Sequence, residues 1–160
     1  MSTSKRKPAE HRAGNTLAQS HARWRRARTF ILQGVYEWQM TGNPAHEIAA
    51  RAHAVNDLHK IDPAYYLEAL TAITSQTPRW DEPLAQVLDV ALQDLGGVER
   101  AILRLAAYEL AVRLERPAKV VIDESVKLAL EFGATDSHQF INAVLHKLAL
   151  NLRAAEMSAS

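Results

Sequence analysis

Four arginines fall within six residues, at Arg23, Arg25, Arg26 and Arg28, and what they offer is planar, bidentate recognition of phosphate and stacking on bases. At about 100° per residue they spread around most of a helix rather than along one stripe, so they are expected to project from the body. The charge distribution points the same way. Residues 1–29 hold eight basic side chains against Glu10 alone, and the rest of the chain holds 11 basic and 17 acidic residues. A basic arm on an acidic body is the usual footprint of contact with nucleic acid, because Lys and Arg displace counterions condensed on phosphates. A single-stranded ligand also needs exposed rings on which bases stack, and Tyr36 and Phe140 are the candidates.

Other chemistries lack their residues. The only close glycines are Gly96 and Gly97, so there is no phosphate-binding glycine loop, and no G-x-S-x-G elbow occurs. His46-Glu47 is followed by Arg51 and His53, which breaks the zincin pattern at its second ligand. The adjacent carboxylates Asp123 and Glu124 diverge by about 100° on a helix and do not flank a substrate. With no Cys there is no disulfide, thiolate metal site or thiol nucleophile. The expectation is a protein without metal, cofactor or catalytic activity. The polar start Met1 to Arg12 has no apolar signal region, and no apolar run approaches a membrane span; a cytoplasmic location follows.

The elements that position these residues are helical. The 160 residues, 48% apolar and 23% charged, suit one domain, or two small lobes on one core. Residues 1–15 are poor in apolar side chains and are expected to be a disordered basic arm. From Thr16, Trp24, Ala27, Ile31, Val35 and Trp38 recur at helical spacing until Thr41-Gly42. Asn43 as cap with Pro44 at the first helical position opens a second helix, and Asp62-Pro63 opens a third that Pro78 ends. Asp81-Glu82-Pro83 is expected to open a fourth, with Leu84, Val87, Leu88, Ala91 and Leu95 on one stripe. A fifth covers Val98 to Arg113. A sixth runs from Lys119 to Phe132, where the 3.6 period overrides a strand-like Val120-Val121-Ile122. A seventh follows a capping box at Asp136-Ser137-His138-Gln139. The predicted fold is all-α, about seven helices in two small packed bundles: an N-terminal lobe over residues 16–78 and a C-terminal lobe over residues 80–155.

Four segments carry a family resemblance: Arg25 to Arg28 with Gln33-Gly34-Val35-Tyr36-Glu37-Trp38, Val98 to Leu110, Pro117 to Ser125, and Phe132 to Leu145. Together they resemble the NusB family of bacterial transcription antitermination factors, over about Arg23 to Arg153. The resemblance implies an all-helical, non-catalytic protein that pairs with NusE, the small-subunit ribosomal protein. The pair would bind the single-stranded boxA element of ribosomal RNA leaders and support processive transcription and ribosome assembly, with RNA polymerase in the elongation complex as an indirect partner. By position it places RNA contacts on Arg25, Arg26, Arg28, Tyr36, Asp136, Ser137 and Phe140, and NusE contacts on Tyr36 and Glu99. Gly96-Gly97 stands where a Ser-Pro is common in the family, a departure that bears on the rigidity of that turn.

Two other readings compete. A NusB-like domain also forms the N-terminal part of some ribosomal RNA cytosine methyltransferases; a chain ending at Ser160 is expected to leave no room for the catalytic domain, so that reading requires a fragment. A helical adaptor that binds only protein, with an idle basic arm, is the other. Salt-dependent RNA binding separates them.

Overall fold

The computed structural model describes residues 9–55 and 60–159, with side chains from residue 17 onward. Its helices are α1 (Ala9–Thr41), α2 (Ala45–Val55), α3 (Pro63–Ser75), α4 (Thr77–Val87), α5 (Gly97–Val112), α6 (Ala118–Phe132), α7 (Ser137–Leu152) and α8 (Ala154–Ser158), with a 3-10 turn at Leu92–Asp94 and no strand among the described residues. The all-α expectation holds, and Val120-Val121-Ile122 lies within α6. No helix among the described residues is long and apolar enough to cross a membrane.

Local signals explain most boundaries and some departures from expectation. Asp62 caps α3 as expected, its carboxylate accepting from the Tyr65 amide at 3.1 Å with Pro63 in the first turn. The start of α2 is shifted. It begins at Ala45, the Pro44 carbonyl accepts from the Glu47 and Ile48 amides, and the Asn43 side chain donates to Glu37 instead of capping. The first helix starts at Ala9, so Ala9–Asn15 is helix rather than part of a disordered arm; Ala, Glu and Arg are good helix formers and Gly14 is the one weak position. The remainder of the expected arm, residues 1–8, lies outside the described residues.

The fourth helix also differs. Pro78 sits in the first turn of α4, and Pro83 lies inside it. The helix tolerates Pro83 because Trp80 and Leu84, both 0% exposed, anchor it to the core, with Trp80 edge-on to Tyr108 of α5 at 5.3 Å. It ends at Val87, so Leu88, Ala91 and Leu95 do not continue its stripe. The capping box at α7 does not form: Asp136 takes a left-handed conformation, φ 66°, and its carboxylate makes no capping bond.

At the centre is α5, which packs against α1, α3, α4, α6 and α7. From Ala101 to Leu110 every residue except Arg104 is buried, including an acid, Glu109. Its carboxylate accepts from Trp24 Nε1 at 3.1 Å, from Tyr65 Oη at 2.6 Å and from Arg28 Nε at 3.0 Å, and pairs with Arg28 Nη2 at 2.8 Å. Arg28 Nη2 also donates to Ser125 Oγ at 2.7 Å. One buried polar cluster therefore ties α1, α3, α5 and α6 together. Burial first, then the charge of Glu109, hold the Tyr65 hydroxyl far above its ordinary range, so it stays a donor.

A second cluster caps the C-terminal end of α5, next to the first. Arg153, 7% exposed, donates to the carbonyls of Leu110, Glu109, Arg113 and Arg116. Glu109 and Leu110 lie in the last turn of α5 and Arg113 is its C-cap; the Glu109 carbonyl also accepts from the Arg113 amide, and Arg153 supplies donors that the helix end itself lacks. Arg153 also pairs with Glu156 at 2.9 Å, and Glu156 accepts from the Ala118 amide, the first of α6. One ion pair thus satisfies the end of one helix and the start of the next.

Removing one partner of a buried charge pair leaves the other uncompensated, at a cost of about 3–5 kcal/mol. Glu109→Ala is therefore expected to destabilise the protein by an amount in that range, read from urea unfolding. A loss below about 1 kcal/mol would show that the cluster does not hold the helices together.

Candidate nucleic-acid interface

The arginine run divides into three environments. Trp24 and Arg28 are four residues apart, so they share one face of α1, and that face is turned inward. Trp24 and Arg28 are each 1% exposed. The expectation that all four arginines project is thus corrected for Arg28: its guanidinium is enclosed by Glu109 and Ser125 and does not reach a phosphate outside. Arg23 donates to the Ile61 carbonyl at 2.6 Å and Arg26 to the Lys60 carbonyl at 3.4 Å, so both reach the segment entering α3 while remaining exposed. Arg25 turns the other way, toward α6.

Between α1 and α6 runs a shallow groove. At its upper end Arg25 Nε donates to Glu124 at 2.9 Å, and Lys127, one turn further along α6, donates to the same carboxylate at 3.2 Å. Burial pushes the Glu124 carboxyl up, but the Lys127 hydrogen bond and the positive charge of Arg25 outweigh it, and the group sits below its ordinary value. A separate depression further along α1, bounded also by α5, is lined by Leu32, Gln33, Tyr36, Val98 and Phe132. On α1, Arg25, Thr29, Gln33 and Tyr36 follow at spacings of 4, 4 and 3, one continuous face spanning about 16 Å. Cations stand at one end and exposed rings at the other.

Tyr36 owes its position to a glycine. A Cβ on Gly97 would lie 2.9 Å from Tyr36 Cε2, so only glycine lets the ring rest across the first turn of α5. The Gly96-Gly97 turn is pinned by side chains: Gln39 donates to the Gly97 carbonyl at 2.9 Å, and Arg100 to the Leu95 carbonyl at 3.1 Å. Gln39 is in turn held by Arg104, which makes a two-pronged ion pair with Asp81. Glu99 follows two residues after Gly97, half-buried, and its buried Oε2 has no hydrogen-bond partner among the described residues. Tyr36 and Glu99 are thus brought to one corner.

The remaining candidates lie on the turn from α6 to α7, beyond Phe132, and in the first turn of α7. Asp136 is exposed in its left-handed conformation. Ser137 Oγ is buried without a partner among the described residues, beside Gly133, where any side chain would collide with it. Phe140 is half-buried and packs against the core, so it serves stability as well as any stacking. Lys127 is absent from the sequence-based candidates, and Phe132 is there only as the start of a family-like segment; nothing in the local pattern of α6 tells that they lie beside Arg25 and Tyr36. Among the described residues no cluster of three or more His, Asp or Glu side chains could hold a metal.

A carboxylate whose folded pKa lies below its unfolded value, about 4.3, contributes stability above that value and loses it as pH falls through the folded pKa. Glu124→Gln should therefore be less stable than the parent at neutral pH, with the deficit shrinking at about pH 3. Urea midpoints at the two pH values check this; a deficit that grows on acidification contradicts it.

Comparison with known proteins agrees with this architecture. The NusB family matches residues 25–150. The transcription antitermination protein NusB of Acinetobacter baylyi is 52% identical over 141 residues, covering 88% of this chain and 95% of that protein. That of Teredinibacter turnerae is 44% identical over 136 residues, covering 84% and 92%. A solved structure of T. maritima NusB superposes with a TM-score of 0.70 at 25% identity, over 78% of this chain and 89% of the other. With the match running from the exposed Arg25 through the buried Arg28 and Glu109 to α7, the chain belongs to the NusB family.

Proposed function

We propose that this chain is a transcription antitermination factor that binds boxA-type single-stranded RNA of ribosomal RNA leaders together with NusE. In this reading it supports processive ribosomal RNA transcription and ribosome assembly in the cytoplasm, touching RNA polymerase only through the elongation complex. The observation that carries the reading is the continuous face from Arg25 and Lys127 to Tyr36 and Phe132, in a chain whose relatives bear the antitermination name. Cations at one end suit the backbone of a strand, and rings at the other suit unstacked bases. Arg26, Asp136, Ser137 and Phe140 extend the RNA face at its two ends. Arg28 acts from inside, by fixing α1 against α5 and α6. The corner of Tyr36 and Glu99 is assigned to NusE, since Glu99 is half-buried and its buried Oε2 lacks a donor that a shift of the side chain toward a cationic or hydroxyl group of a protein partner would supply. No step of this function calls for catalysis.

Every phosphate that a protein ceases to neutralise on a single strand lowers the slope of log affinity against log salt by about 0.7. Arg25→Ala, Arg26→Ala and Lys127→Ala are each expected to weaken binding of a boxA-like RNA and to flatten that slope. Parent-like binding by all three across a range of salt would refute the RNA reading and favour a protein-only adaptor. Phe140→Ala is expected to weaken binding with the slope kept, and melting curves must separate that from its cost to the core.

Glu99→Lys and Tyr36→Asp are expected to impair NusE capture while leaving the far-UV circular dichroism spectrum helical. Unchanged capture by both would move the interface elsewhere.

A further inference from the structure

The carboxylate of Glu124 stands between the two cations that the RNA reading uses. Its Oε2 accepts from Arg25 and its Oε1 from Lys127, and His21 Nε2 lies 3.8 Å from Oε1. The exposures are unequal. The Glu124 side chain is 9% exposed, those of Arg25 and Lys127 49% and 58%. The acid thus forms the floor of the groove and the cations its mouth. Buried Arg28 does not relieve this arrangement, because it is already paired with Glu109 deeper inside. The hydrogen bond of Arg25 to Glu124 runs through Nε, and half of the Arg25 side chain remains exposed.

A phosphate arriving at this mouth meets cations that already share a negative charge. We propose that Glu124 sets the affinity threshold of the RNA face: it is a resident competitor that holds down the affinity of Arg25 and Lys127 for any phosphate backbone. The inference rests on the RNA reading above. Phosphate contacts carry no sequence information and dominate non-specific binding. Weakening them by a fixed factor sets a threshold. At a given concentration of cellular RNA, strands held by phosphates alone fall below half-occupancy, while a strand that adds base contacts, or a partner protein, stays above it. The carboxyl lies below its ordinary pKa, so the competitor is ionised at neutral pH.

The test titrates the full chain with a boxA-like RNA and a scrambled RNA of equal length, over a range of salt. Glu124→Gln keeps the size and an acceptor oxygen but removes the charge. It is expected to bind the scrambled RNA about threefold or more tighter than the parent, with a salt slope steeper by about 0.7. The gain should vanish in Glu124→Gln combined with Arg25→Ala and Lys127→Ala. Unchanged or weaker binding by Glu124→Gln, with melting curves confirming the fold, overturns the proposal and makes Glu124 an orienting group for Arg25. A gain that survives removal of both cations overturns it too. The two failures are distinguishable: if Arg25→Ala and Lys127→Ala leave binding unchanged beside the native Glu124, the RNA reading fails; if they weaken it and Glu124→Gln does not strengthen it, only the competitor fails.

Discussion

Everything in this structure that faces RNA or a partner in the proposed reading depends on one carboxylate that faces neither. Glu109 sits at 0% exposure in the central helix and accepts hydrogen bonds from Trp24, Arg28 and Tyr65. A buried charge is tolerated only when paired and fully hydrogen-bonded, so its partners on α1 and α3 have little freedom to shift. Because Arg28 goes on to Ser125, the constraint extends to α6. The azimuth of α1 about its own axis is thereby fixed, and with it the side on which Arg25, Gln33 and Tyr36 emerge. An apolar core of the same volume would hold the helices together, but it would specify their rotation less sharply.

The same constraint explains what the sequence can and cannot convey. Helical periodicity places α5 and α6 to within a residue or two, because their apolar stripes are strong and Gly or Pro stands at or near their ends. It errs at α4, where Pro83 reads as a helix start and is an interior residue kept in place by Trp80 and Leu84. Arg28 is misplaced for a related reason. Angular spread shows that four arginines cannot all be buried by one neighbour, yet it says nothing of one arginine meeting a buried acid 81 residues away. The signal is present in α5, where Glu109 interrupts a run of apolar residues and so requires a cation. Linking the two takes tertiary structure.

The candidate site is legible in the same uneven way. Tyr36 and Glu99 come to notice together through a family resemblance, and the structure adds why they can act together: Gly97 lets the Tyr36 ring lie over the start of α5. The paired glycines, which on sequence suggest a looser turn, are held by Gln39 and Arg100. Lys127 carries no sequence mark, and Phe132 enters only as the first residue of a family-like segment, since an exposed Lys and a helix-ending Phe are ordinary features of any amphipathic helix. Their meaning comes only from the helix opposite.

The ion pair of Arg153 and Glu156 has a consequence for the order of events during synthesis. Translation is vectorial, and a domain that folds as a unit is complete only when its last contacts have left the ribosome. The carbonyls that end α5 and the amide that begins α6 find their partners on Arg153 and Glu156, 43 and 38 positions later in the chain. Until residue 156 has emerged, that corner exposes unsatisfied polar groups to water and is free to fray. The end of the central helix that α1 and α3 grip through Glu109 is therefore the same end that the last turns of helix must cap, and those turns act as the latch on it.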